Sequence, residues 1–157
     1  PGKKLLFMGQ DFGQEREWSE EREIDWFLLD QPYHKELHDY MKELLHIYRK
    51  KRCMYELDHS WDGFEWINAD DADRSIFSFV RKSPTKRNNI LYVVNFTPVD
   101  RPDYRVGVPK RKQYKLIMDE NGLTEPKTFK AVKQECDNRP FSFAYPLPAY
   151  GVAIFVY

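Results

Sequence analysis

The sequence predicts a mainly β protein, in which an antiparallel β-sandwich follows a single strand, a loop and a helix. Three observations support this fold class. Residues 34–52 carry apolar side chains at helical spacing, the sequence after residue 55 alternates β-prone runs with turns, and residues 5–8 form an apolar run. The chain has 157 residues, 41% of them hydrophobic and 16% aromatic, so it is long enough to bury a core.

The first predicted element is the strand Leu-Leu-Phe-Met at residues 5–8, which ends at Gly9. A continuous apolar run is typical of a strand buried on both faces of a parallel sheet. A parallel strand needs neighbouring strands and crossover connections, and the residues before it are too few to supply them. We therefore expect this run to be the last strand of a larger unit, from which the chain was cut by design or by proteolysis.

A polar segment at residues 9–32 is predicted to be a long loop, and loops of this length are usually functional. The helix predicted over residues 34–52 has one apolar stripe at i, i+3, i+4 and i+7 spacing. The stripe consists of Leu37, Tyr40, Met41, Leu44, Leu45 and Tyr48. Basic residues at 49–52 suit the end of this helix, because cations stabilise the negative end of the helix dipole.

The sequence from residue 55 onward predicts the sandwich. Runs rich in aromatic and β-branched residues predict strands at 64–67, 75–80, 90–94, 104–108, 114–118, 128–133, 142–145 and 151–157. Several short strands separated by turn residues indicate an antiparallel sandwich. A strand, loop and helix in residues 1–54, followed by a sandwich in residues 55–157, suggest the end of a (β/α)₈ barrel with a C-terminal β-domain.

Charge and cysteine content exclude several classes of function. The 25 basic and 25 acidic residues cancel, which argues against a nucleic-acid partner or an anionic membrane. No apolar stretch approaches the ~18 residues of a membrane-spanning helix. Cys53 and Cys136 have neither metal nor redox spacing. We therefore predict reduced thiols and a cytoplasmic location.

His34 and His38 are four positions apart, a spacing at which two histidines can bind a metal on one helix face. The intervening sequence, His-Lys-Glu-Leu-His, does not follow the H-E-x-x-H pattern of zinc hydrolases. We therefore predict a solvated helix face, with no metal site and no cofactor.

Several strings, collinear along most of the chain, closely resemble the 1,4-α-glucan branching enzymes of the α-amylase superfamily. The longest are KKLLFMGQDFGQ at 3–14, NFTPV at 95–99 and YRVGVP at 104–109; shorter matches lie at 16–18, 25–29, 56–58, 63–66 and 70–71. The resemblance implies that residues 3–52 are the eighth barrel strand, its loop and its helix. Two places depart from the family: Asp11 stands where Glu is usual, and residues 119–137 are shorter than a glycine-rich loop.

The resemblance also implies a reaction, in which an α-1,4 linkage is cleaved and the fragment is rejoined through an α-1,6 linkage in glycogen biosynthesis. Retaining chemistry of this kind needs a carboxylate nucleophile and a carboxylic acid about 5–5.5 Å apart. In the family, both lie on earlier barrel strands, and no Asp or Glu of this sequence matches their motifs. We therefore expect no catalytic residue here, an inactive isolated chain, and a role in structural support and glucan contact.

Four residues are candidates for contact with α-glucan. Gln10 and Asp11 would follow the eighth strand, where the active sites of such barrels lie, or they merely hydrogen-bond to neighbouring loops. Trp18 has charged neighbours, so we expect its ring to be partly exposed and able to stack on a sugar. Tyr33, at the predicted helix start, would form a weak surface glucan site. We expect packing instead for Trp26, and packing in the core or at an interface for Trp61 and Trp66.

Three functions remain open. The leading interpretation is the C-terminal part of a branching enzyme, whose partners are α-glucan and the rest of its own barrel. The second is a free-standing carbohydrate-binding β-sandwich, which would have no need of residues 3–52. The third is the tail of another α-amylase-type enzyme, such as a debranching enzyme. The bare strand at residues 3–9 and the helix stripe also predict a non-physiological homo-oligomer of the fragment.

Overall fold

The structure, a computed structural model, describes residues 2–85 and 87–157. Within this part of the chain there is one α-helix, α1 (Pro32–Lys50), and there are eight strands. The strands are β1 (Phe64–Asn68), β2 (Ile76–Arg81), β3 (Ile90–Asn95), β4 (Arg101–Val108), β5 (Gln113–Asp119), β6 (Gly122–Lys130), β7 (Phe141–Leu147) and β8 (Val152–Val156). Short 3₁₀ helices lie at Trp26–Asp30, Arg52–Met54 and Trp61–Gly63.

The strands form two antiparallel sheets, which confirms the predicted mainly β fold. The larger sheet has the order β1-β2-β3-β8-β5-β6, and β4 pairs with β7 in the smaller sheet. Alternate side chains of both sheets meet in one core, which includes Ile76, Leu91, Val106, Phe143 and Phe155. This arrangement is a sandwich, because inward-facing residues of two sheets fill the space between them.

Helix α1 packs on the opposite face of the larger sheet. Ile47 of the helix joins Ile90, Met118 and Ile154 in a second buried cluster. The central strands of this sheet are therefore covered on both faces, which explains their nearly continuous apolar sequence. The predicted domain boundary between residues 54 and 55 stays a prediction, and α1 supplies part of the core of the sandwich domain.

Residues 5–8 form no strand, so the prediction was wrong for this chain by itself; their place as the last strand of a larger unit stays a prediction. Leu5 is 81% exposed, and the other three side chains are exposed as well. A parallel strand is held by hydrogen bonds to its neighbours, and no strand of the described residues pairs with this segment. The apolar run indicates a tendency to be buried, but no element of the described residues buries it.

Strand β6 begins earlier than the predicted 128–133. Asp119 pairs with Gly122 across a two-residue turn, and Gly122 has a φ of +99°. The two turn residues are Glu120 and Asn121. Positive φ is favourable for glycine, so Gly122 can begin β6 directly after this turn. Pro126 lies within β6 without disrupting the sheet, because β6 is an edge strand.

None of the described helices combines the length and the apolar character needed to cross a membrane.

Candidate functional site

The loop before α1 is held by the buried carboxylate of Asp25. This carboxylate accepts hydrogen bonds from Arg16 Nε at 2.7 Å and Gln14 Nε2 at 3.0 Å, and the Asp25 amide donates to Gln14 Oε1 at 2.8 Å. The hydrogen bond from Arg16 holds the pKa of Asp25 below its usual value, against the effect of burial. The loop around Trp18, which lies between Arg16 and Asp25, is therefore closed by an ion pair.

Gln10 and Asp11 both make local hydrogen bonds. Gln10 Oε1 accepts from the Phe7 amide at 2.9 Å, and Asp11 Oδ2 lies 3.1 Å from Nδ1 of His38. Hydrogen bonding to neighbouring residues is the alternative to glucan contact that the sequence left open for Gln10 and Asp11. Gln10 is nevertheless exposed and Asp11 is partly exposed. Their contact with glucan therefore stays a prediction.

Trp18 is partly exposed, as its charged neighbours predicted, and its ring meets Phe7 edge-to-face at 5.6 Å. Trp26 is 54% exposed, which corrects the expectation that it is packed. Within the turn at Trp26–Asp30, Leu28 takes the buried position. Trp26 is left on the surface, with one contact to the ring of Phe12 at 5.7 Å.

Tyr33 is 85% exposed and lines a groove of about 670 Å³ between α1 and the β5–β6 hairpin. We call this the tyrosine groove. Its lining includes Tyr33, Tyr40 and Glu43 of α1, Glu120 and Asn121 of the hairpin, and Tyr150 of the β7–β8 turn.

Sequence reasoning missed Tyr150, which is 68% exposed in this groove. The one local signal is its place between Pro148 and Gly151, which marks a turn. Its closeness to Tyr33 depends on how α1 packs on the sheet, and no local pattern predicts that.

Aromatic side chains cover the outer face of β1 and β2. We call this the aromatic face; it consists of Trp61, Phe64, Trp66, Phe77, Phe79 and Phe96. Trp61 is 71% exposed and Trp66 is also exposed, so neither packs in the core of the described chain, and their packing at an interface stays a prediction. Trp66 contacts Phe64 at 5.0 Å and Phe79 at 5.6 Å, but these contacts leave much of its ring uncovered.

An apolar cleft of about 480 Å³ adjoins the aromatic face. It is lined by residues of the amino-terminal segment, of α1 and of the sheet, among them Leu5, Leu6, Met41, Leu45, Phe64 and Phe79. Exposed apolar surface of this kind usually marks an interface.

No group of three or more His, Cys, Asp or Glu side chains within residues 2–85 and 87–157 is arranged to hold a metal ion. His38 instead lies beside the carboxylate of Asp11, and His34 Nδ1 lies 2.7 Å from the Phe12 carbonyl oxygen.

Two packed antiparallel sheets, with a helix on the outer face of the larger sheet, define an all-β sandwich domain. Residues 66–157 match the family described as "Alpha amylase, C-terminal all-beta domain". The chain belongs to this family.

Curated relatives extend the match to nearly the whole chain. The 1,4-alpha-glucan branching enzyme GlgB of Butyrivibrio fibrisolvens is 50% identical over 163 residues, which cover 99% of this chain and 26% of the relative. The enzyme of the same name from Halothermothrix orenii is 39% identical, and the match covers 99% of this chain and 26% of that protein. The one from Geobacillus stearothermophilus is 38% identical, and the match covers 98% of this chain and 25% of that protein. The chain thus spans about a quarter of the length of the relatives it matches.

Proposed function

We propose that this chain is the C-terminal part of a 1,4-α-glucan branching enzyme, a cytoplasmic hexosyltransferase that forms α-1,6 branches in glycogen. The observation that carries this proposal is the 50% identity to a branching enzyme along 99% of the chain. The match extends beyond the family domain at residues 66–157 into the loop and α1.

The role of the chain within the longer enzyme is to support the catalytic barrel. The aromatic face and the apolar cleft expose a continuous apolar surface. Lys4 Nζ donates to the Met54 carbonyl at 3.1 Å and to Asp58 Oδ1 at 2.8 Å. Residues 5–8 are therefore tethered beside the cleft while their side chains remain uncovered. The remainder of a protein about four times as long is the partner we assign to this surface.

Glucan contact is the second part of this role. Trp18 lies on the loop closed by Asp25, Gln10 and Asp11 precede that loop, and Tyr33 lies at the start of α1. All four expose polar or aromatic groups. Such groups bind sugars through hydrogen bonds to hydroxyls and through contacts of an aromatic face with C–H groups.

The test is a linkage measurement on the full-length protein encoded by the gene. The protein is incubated with linear amylose, and α-1,6 linkages and reducing ends are counted by proton NMR. We expect α-1,6 linkages to rise while reducing ends stay constant. The isolated 157-residue chain is the control, and it should form no linkage and release no reducing end.

Other outcomes favour the alternatives. A rise in reducing ends without new α-1,6 linkages would indicate a hydrolase. Loss of α-1,6 linkages from glycogen would indicate a debranching enzyme. A gene without upstream barrel sequence would leave only a carbohydrate-binding module. Each of these results contradicts the proposal.

A further inference from the structure

A concave pocket rich in basic side chains lies where α1 ends. We call it the basic pocket; its volume is about 520 Å³. Its lining includes Lys50, Lys51 and Arg52, at and just after the end of α1, and Ser83, Thr85 and Arg87 of the β2–β3 loop. Two segments that are distant in sequence therefore form this pocket together.

The basic pocket concentrates positive charge in a chain whose charges balance. The chain has 25 basic and 25 acidic residues. Four cations line the pocket, namely Lys50, Lys51, Arg52 and Arg87, whereas no Asp or Glu of the described chain lines it. Like charges that share a cavity repel one another. An anion bound in the pocket would relieve this repulsion.

Ion pairs within the chain neutralise little of this charge. Arg52 pairs with Glu56, which lies outside the lining. None of the ion pairs among residues 2–85 and 87–157 involves Lys50, Lys51 or Arg87. Lys51 is partly exposed, and the other two are exposed. These three cations therefore have donors available for a ligand.

The helix dipole accounts for only part of the charge. Lys50 lies in the last turn of α1, where a cation is stabilised by the free carbonyl groups of the helix end. The end of a helix is equivalent to about half a negative charge. Together with the carboxylate of Glu56, this leaves more than half of the positive charge in the pocket unbalanced.

Hydrogen bonds fix the β2–β3 loop before any ligand arrives. The Ser83 amide donates to Asn89 Oδ1 at 3.0 Å, and the Ser83 hydroxyl donates to the Arg87 carbonyl at 2.8 Å. Ser83 and Asn89 are both buried. The backbone at Arg87 is therefore held in place, which reduces the entropy that is lost when its guanidinium binds a ligand.

The polar groups of the pocket suit two kinds of ligand group. Arg87 can donate two parallel hydrogen bonds to the oxygens of a phosphate, and each lysine carries three donors. The Thr85 hydroxyl lies 3.0 Å from the Ser83 hydroxyl. Because the single proton of Ser83 goes to the Arg87 carbonyl, Thr85 donates to Ser83 and keeps its own oxygen as an acceptor. Such an acceptor repels a phosphate oxygen but suits a sugar hydroxyl.

We propose that the basic pocket binds a phosphorylated sugar, with Lys50, Lys51 and Arg87 on the phosphate and with Thr85 and Asn88 on sugar hydroxyls. A phosphate monoester carries about 1.5 to 2 negative charges at pH 7, which matches the unbalanced charge. The volume of about 520 Å³ lies within the range of small-molecule sites and leaves room for a sugar beside the phosphate. Free sugars and polysaccharide chains both carry such esters, and the experiment separates these two sources.

The experiment is isothermal titration calorimetry of the 157-residue chain at low ionic strength, with glucose 6-phosphate, inorganic phosphate and glucose as ligands. We expect glucose 6-phosphate to bind at one site and more tightly than inorganic phosphate, with no binding of glucose. Added salt should weaken the binding.

Two charge-removing variants and a matched control locate the site. Lys51→Gln and Arg87→Gln should each bind glucose 6-phosphate about three- to tenfold more weakly, the change expected when one charge about 4 Å from the ligand is removed in water. Arg49→Gln removes a basic residue from the same end of α1 but outside the pocket lining. It should leave the affinity unchanged.

The source of the phosphate is tested by competition. Starch phosphorylated at glucose C6 is added to the complex with glucose 6-phosphate, and the same starch after phosphatase treatment is the control. Displacement by the phosphorylated starch alone would support a polysaccharide ester as the ligand. Retention of glucose 6-phosphate in both cases would support a free sugar phosphate.

Three results would overturn the proposal. The first is no binding of glucose 6-phosphate. The second is equal affinity for inorganic phosphate and glucose 6-phosphate, which would remove the sugar from the site. The third is equal weakening by Arg49→Gln and Arg87→Gln, which would indicate attraction by overall charge. Since none of these experiments measures α-1,6 linkages, the basic pocket and the branching activity can fail independently.

Discussion

The guanidinium of Arg81 on β2 pairs with the carboxylate of Asp58, and both side chains are buried, at 6% and 5% exposed. The same carboxylate accepts from Lys4 Nζ at 2.8 Å, and the Tyr48 hydroxyl lies 3.5 Å away. Asp58 thus connects the amino-terminal segment, α1 and the larger sheet. The segment before residues 5–8 is therefore tethered to the domain by the Asp58 carboxylate together with the Met54 carbonyl.

Removing the carboxylate should strongly destabilise the fold. Asp58→Ala leaves Arg81 buried without its counter-charge, and breaking a buried pair in this way costs about 3–5 kcal/mol. Lys4→Ala is the matched control. Because the Lys4 side chain is 43% exposed, we expect its loss to cost at most about 1 kcal/mol. Urea unfolding followed by circular dichroism measures the free energy of unfolding of both variants. Equal losses of stability would show that burial of Arg81 does not depend on its pairing with Asp58.

The same carboxylate should make stability depend on pH. Burial acts to raise the pKa of Asp58, but Lys4 and Arg81 outweigh burial and hold that pKa below 3.8. The unfolded chain therefore binds the proton more readily than the folded chain does. The contribution of Asp58 is complete above ~pH 5 and is lost as the pH falls through 3.8 towards the lower folded pKa.

Comparison of the wild type with Asp58→Asn tests the direction of this pH dependence of stability. Their difference in free energy of unfolding should shrink as the pH falls through the acid range. A difference that stays constant down to the acid transition would mean that Asp58 has an ordinary pKa in the folded protein.

The substitution Phe155→Ala tests whether Phe155 lies in the core between the two sheets. Its ring is fully buried and lies 5.2 Å from the rings of both Phe143 and Tyr145. Phe155→Ala should cost about 3–5 kcal/mol, because it removes apolar contacts and leaves a cavity. Phe96→Ala, at a ring that is 63% exposed, should cost less than about 1 kcal/mol. A loss below ~1 kcal/mol at Phe155 would place that ring outside the core.

Both cysteines should react slowly as thiols in the native protein. Cys53 is buried, Cys136 is partly buried, and burial raises the pKa of each to about 11. Only the thiolate is a good nucleophile, so a thiol reagent at pH 8 should modify little of the folded chain. After unfolding without reductant, titration should find two free groups. Finding none would show that the cysteines are oxidised.

The secondary structure was largely predictable because it depends on local periodicity. The apolar stripe from Leu37 to Tyr48 placed α1 within two residues of its bounds at Pro32–Lys50, and alternating runs placed β2 and β3 within one. The segment at residues 5–8 was mispredicted because an apolar run indicates burial and cannot say which element supplies it. The apolar residues of β6 gave little signal, because that edge strand is mostly exposed.

Residues of the candidate site were predictable only where the local sequence around a single residue was enough to predict its exposure. The exposure of Tyr33 and Trp18 was predicted from their place in the sequence, and both are exposed; their contact with glucan stays a prediction. Tyr150 was missed, because it joins Tyr33 through packing that spans most of the chain. Trp61 and Trp66 were expected to pack in the core or at an interface. They lie on the aromatic face, outside the core, and packing at an interface stays a prediction.

Hydrogen exchange of residues 3–9 and of β1, followed by mass spectrometry, most directly tests whether this chain is one part of a larger fold. The 157-residue chain is compared with the full-length protein, at a concentration where light scattering shows both to be monomeric. We predict fast exchange at residues 5–8 in the isolated chain and strong protection in the full-length protein, with added protection along β1. Equal exchange of both segments in the two proteins would contradict the account, because the exposed apolar surface would then have no partner in the rest of the proposed enzyme.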